Sequence, residues 1–125
     1  MSPTIADVDA ATGILRTIDV GAITASEHKQ YGENSTHMSV IRARYGYANY
    51  ISVTNMCLTV NLMLKLDGNP DREVFIPGGS IVSLDNVAFR SFDLVNATTN
   101  TSAGGEVYIV VGYQPFPMHK ITGLK

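Results

Sequence analysis

From Leu58 to Leu66 the chain alternates. Leu58, Val60, Leu62, Leu64 and Leu66 are apolar, and Thr59, Asn61 and Lys65 between them are polar. A period of two is the period of a β-strand, so the five aliphatic side chains are expected on one face. Asp67-Gly68-Asn69-Pro70-Asp71 breaks the run. Val74-Phe75-Ile76 follows, then the turn residues Pro77-Gly78-Gly79, then further strand. The stretch 58–96 therefore reads as the centre of an all-β sandwich.

The rest of the chain agrees with a β fold. Met1 to Thr12 is polar and small with no period, and reads as an N-terminal arm. Ile14, Ile18 and Val20 recur at even positions of a first strand, with Arg16 on the apolar side. Thr24 to Lys29 has room for one helical turn, with Thr24 and Glu27 at capping-box spacing. Met38 to Tyr45 reads as a second strand and Tyr47 to Val53 as a third, with Gly46 marking a turn or bulge. Arg72 to Ile76, Ile81 to Leu84 and Phe89 to Val95 are further strands, with Asp85-Asn86 a turn. Glu106 to Tyr113 is apolar on both faces, which suits a central strand or an interface. About eight strands, with turn signals every ~8–12 residues, predict an antiparallel, jelly-roll-like β-sandwich over residues 13–114. Residues 115–125 form a proline-bearing C-terminal tail. No long helix is expected.

At 125 residues one domain is expected. Nine basic and eleven acidic residues are scattered, giving a net charge of −2. A polyanion partner needs a concentrated basic patch, so no nucleic-acid partner is expected. No stretch approaches the ~20 apolar residues of a membrane helix, and Met1 to Gly13 lacks the basic start and apolar run of a secretory leader. No membrane partner is expected. Cys57 is the one cysteine, so it has no disulfide partner within the chain and reads as a small buried hydrophobe.

The motifs that carry chemistry mostly fail on inspection. Asp67, Asn69 and Asp71 open like a calcium loop, but the sixth and twelfth positions hold Arg72 and Gly78 where glycine and glutamate are needed. A hairpin turn at Asp67-Gly68 is the better reading, with a surface calcium site on Asp67 and Asp71 as its alternative. His28, His37 and His119 are too far apart for a metal pair on one strand or helix. Gly78-Gly79-Ser80 lacks the glycine that a nucleophile elbow needs after its serine. Asp85, Asp93 and Glu106 would have to meet in space to act as a glycosidase pair. Tyr45, Tyr47 and Tyr50 form an aromatic cluster suited to a core, an interface or a sugar platform. No cofactor and no catalytic residue is expected.

Ile51-Ser-Val-Thr-Asn, Leu64-Lys-Leu-Asp-Gly, Phe75-Ile-Pro-Gly-Gly-Ser and the Asp93-Leu-Val-Asn strand together resemble small β-sandwich structural proteins of tailed bacteriophages, the decoration, head and tail accessory modules. The resemblance spans roughly Ile51 to Val111. It implies a non-enzymatic virion protein that assembles in the host cytoplasm, often as a homotrimer, on a major capsid or other virion protein. Ile5, Val8, Tyr108, Val110, Pro115, Phe116 and Pro117 are the expected contact residues. A carbohydrate-binding module using the surface tyrosines and a small cupin-like enzyme are the competing expectations.

Overall fold

The computed structural model describes residues 13–32 and 34–115. The arm, with Ile5 and Val8, and the tail from Phe116, with Pro117, lie outside the described residues. Eight strands form two four-stranded sheets. They are β1 (Ile14–Asp19), β2 (His28–Tyr31), β3 (Ala48–Asn55), β4 (Leu62–Leu66), β5 (Glu73–Ile76), β6 (Ser80–Phe89), β7 (Phe92–Asn96) and β8 (Val107–Tyr113); among the described residues one α-helix, α1 (Thr36–Tyr45), lies between β2 and β3, and a single 3-10 turn, Pro70–Arg72, precedes β5. The first sheet has the order β1-β8-β3-β6 and the second β2-β7-β4-β5. Every pairing is antiparallel, and four are nested: β1 with β8, β2 with β7, β3 with β6, β4 with β5. The fold is an all-β sandwich, as the alternation and turn spacing lead one to expect.

The two inner faces make one core. Ile51 and Val53 of β3 and Val107, Ile109 and Val111 of β8 face Leu62, Leu64 and Leu66 of β4 and Phe92 and Leu94 of β7, all buried. β8 is central in its sheet, between β1 and β3, which explains why its sequence is apolar on both faces.

Four local expectations are corrected. Met38 to Tyr45 is not a strand but most of α1. Ser35 caps it by accepting the Met38 N–H at 3.3 Å, Gly46 closes it in the left-handed region (φ 83°), and Met38 and Ile41, three apart, are its buried residues. Thr24 to Lys29 is not helical. Glu27 takes the Thr24 N–H (2.8 Å) and hydroxyl (3.2 Å) in a tight turn, Ser26 has φ 61°, and the chain then enters β2 to pair with β7. Asp85-Asn86 is not a turn between strands but an irregularity inside β6, where the register to β3 shifts and Asn86 has φ 60°. Leu58 is 80% exposed. The buried Asn55 side chain accepts the Cys57 N–H (3.1 Å) and donates to the Val60 carbonyl (2.7 Å), folding residues 55–60 into a turn, so the regular strand begins only at Leu62.

Arg16 does fall on the inner side of β1. It sits on an edge strand, where its Nε donates to Nδ1 of His37 on α1 at 3.3 Å. An arginine at the rim of the core keeps its head group hydrogen-bonded there.

Candidate assembly surface

Polar side chains tie the loops at each end of the sandwich. At one end, the buried Asn96 donates to the carbonyls of Ile23 (3.2 Å) and Asn100 (2.7 Å) and accepts the N–H (2.9 Å) and hydroxyl (2.7 Å) of Thr98. Ser102 accepts the Ile23 N–H (3.1 Å), Asn100 donates to the Thr59 carbonyl (2.9 Å), and Asn61 accepts the Gly78 N–H (3.0 Å). At the other end, Oδ1 of Asp67 accepts the N–H groups of Arg90 (2.7 Å) and Ser91 (3.1 Å), and Oδ2 meets Arg72 at 2.9 Å. Arg42 of α1 donates to the Arg90 carbonyl at 2.9 Å. The Asp67 carboxylate thus has three structural partners, and the Asp67-Gly68 turn is the hairpin between β4 and β5.

The residues weighed for catalysis are not brought together. Asp85 lies opposite Tyr50 on the outer face of the first sheet. Asp93 lies between Gln30 and Lys65 on the outer face of the second. Glu106 closes a loop by accepting the Ala103 N–H at 2.5 Å. His28 is on β2, His37 is on α1, and His119 lies outside the described residues. Among the described residues, no three His, Cys, Asp or Glu side chains stand close enough to share a metal ion. Cys57 is buried.

Three of the six tyrosines pack on one another. Tyr45 of α1 stacks on Tyr113 of β8 with ring centres 4.4 Å apart, and Tyr47 meets the same ring edge-on at 5.6 Å. Burial, then the neighbouring Tyr47 with its hydrogen bond and Tyr45, pushes the Tyr113 phenol above its ordinary pKa. Tyr31 stacks on Phe92 at 4.8 Å; burial first, then the Asp19 and Glu27 carboxylates, raise its phenol too. Tyr50 is separate, in the outer face of the first sheet between Gly112 and Asp85.

That outer face is the broadest continuous surface the strand registers define. Three cross-strand rows run over it from β1 to β6. They are Asp19–Tyr108–Thr54–Ile81, Thr17–Val110–Ser52–Ser83 and Leu15–Gly112–Tyr50–Asp85. Only Asp19 and Asp85, at its margins, carry charge. Tyr108 and Val110, two of the expected contact residues, lie on its central strand; Tyr108 is exposed and Val110 half-buried. Pro115, half-buried, lies at the end of β8 beside Gly13. Leu15, Met56, Leu58 and Ile81 are exposed apolar side chains that the sequence reading did not select. The available signal was the absence of any charge from Ser80 to Leu84.

No family model, no curated protein and no solved structure matches the chain.

Proposed function

We propose that this chain is a non-enzymatic structural protein of a virion, a capsid decoration or head or tail accessory subunit acting through contacts with its own copies and with a major capsid or other virion protein. The nested pairings support reading the sandwich as a jelly roll, a fold used by viral capsid proteins, lectins and cupins alike. The fold does not choose among these, so the choice rests on a surface. The observation that carries the assembly reading is the outer face of the first sheet. It is four strands wide, its charges are confined to its margins, and it has Tyr108 and Val110 at its centre with Leu15 and Ile81 on its edge strands. Uncharged cores with aromatic residues mark protein interfaces. A sugar platform needs an open ring face, whereas Tyr45 and Tyr113 cover one another.

Native mass spectrometry and sedimentation velocity on the full chain test this. A defined homo-oligomer is expected, built on the trimer that the phage resemblance implies. A monomer persisting across the micromolar range overturns it.

A further inference from the structure

Two sheets have four edge strands: β1 and β6 on the first, β2 and β5 on the second. An edge presents N–H and C=O groups to any passing chain unless charge, proline, shortness or a bulge blocks pairing. Three edges carry such a block. β1 holds Arg16 and Asp19. β2 and β5 have four residues each, with Lys29 in one and Glu73 in the other.

The first half of β6 carries none of these. Ser80-Ile81-Val82-Ser83-Leu84 is uncharged and free of proline, and it runs in unbroken register along β3 from Asn55 to Ile51. Its other side pairs with no described strand. The irregularity at Asn86 ends this regular run, which sets its length. Apolar side chains flank the start of the run. Ile81 is 66% exposed, Met56 61% and Leu58 80%. Met56 and Ile81 line an open groove of about 360 Å³ with Thr54, Asn55, Gly79 and Ser80. The Leu58 side chain lies so close over Gly79 that a Cβ there would come within 2.7 Å of it.

We infer that Ser80–Leu84 pairs antiparallel with the same segment of a second copy of this chain, joining two first sheets across a two-fold axis at Val82. The segment is complementary to itself, as a two-fold contact requires. Centred on Val82, Ile81 lies beside the partner's Ser83, and Ser80 beside the partner's Leu84. Each larger side chain meets a small one, and Val82 meets its own copy. Asp85 falls opposite the partner's Gly79, so no carboxylate faces another. Main-chain hydrogen bonds supply affinity, and the side-chain alternation sets the register. The contact rests on the assembly reading and adds a two-fold element to it. It gives two copies by itself, and six where it joins trimers.

The test is native mass and sedimentation of the full chain beside Ile81→Lys and Ser83→Lys, each a single charge on an exposed position of the edge. An even number of copies is expected for the unaltered chain. Each lysine variant is expected to halve the mass with an unchanged far-ultraviolet circular dichroism spectrum. Val82→Cys is expected to give a disulfide-linked pair on mild oxidation, because directly opposed strand residues lie about 4.5–5.5 Å apart between Cα atoms. Cys57 is buried and does not compete. An assembly whose mass neither lysine changes, with no Val82→Cys cross-link, overturns this contact and leaves the assembly reading standing. A monomeric unaltered chain overturns both.

Discussion

The phenols of Tyr31 and Tyr113 stand in surroundings that disfavour phenolate: burial for both, Asp19 and Glu27 beside the first, Tyr47 and Tyr45 beside the second. The folded protein therefore holds both protons more tightly than the unfolded chain. Their contribution to stability is complete below the ordinary phenol value of about 10 and is lost as pH climbs through the raised values. Ultraviolet titration of phenolate is expected to show Tyr31 and Tyr113 ionising above the ordinary phenol value, with urea stability falling over the same alkaline range. A single titration at the ordinary value contradicts this. Single residues were unevenly legible in the sequence. Asp67-Gly68 announced a hairpin because that dipeptide favours the turn locally. That the Asp67 carboxylate also holds Arg90 and Ser91 was not legible, because those N–H groups lie 23 and 24 residues away. Leu58 was misread for the same reason in reverse. Alternation continues through it, while the Asn55 hydrogen bonds that turn the chain leave no periodic trace.

At the scale of elements, α1 was the main miss. Val40 and Ile41 are β-branched, and the run 38–45 is short enough to pass for a strand. Its boundary signals were nonetheless local: Ser35 ahead, Gly46 behind, and Met38 and Ile41 spaced for one helical face. The helix leans on its cap, since ten residues are marginal without support. Ser35→Ala is expected to cost about 1 kcal/mol of stability in urea unfolding, and Ser35→Asp, which keeps an acceptor, to restore most of it. Equal losses in both variants contradict the capping role. The strands fared better. β4, β7 and β8 each bury one alternate set of side chains, so period alone located them. β2 was hidden because its four residues, His28–Tyr31, are polar and half-exposed; it is a strand because β7 pairs with it. The same dependence on a neighbour hid the candidate interface. Lack of charge from Ser80 to Leu84 is visible in the sequence, but that β6 is an edge is a fact of the sheet order.

For the molecule as a whole, about eight strands in a sandwich followed from turn spacing, whereas which strand meets which did not. β1 pairs with β8 through contacts such as Ile14 with Tyr113, and no local propensity encodes a partner so distant. The pairings have one further property. Each of the six ladders joins a strand from β1–β4 to a strand from β5–β8: β1 and β3 to β8, β3 to β6, β2 and β4 to β7, β4 to β5. Among the described residues, neither half contains a ladder of its own. Cut at the exposed bond between Gly68 and Asn69, the chain is expected to yield two pieces that are each unstructured by circular dichroism and regain β signal only when mixed. Persistent sheet in either piece alone contradicts this. On a ribosome the same arrangement means that β1 to β4 emerge with nothing to bind. Sheet formation waits for the second half to follow them out of the tunnel, and until then the apolar alternation of β4 is open to whatever chaperone or sister chain is nearest.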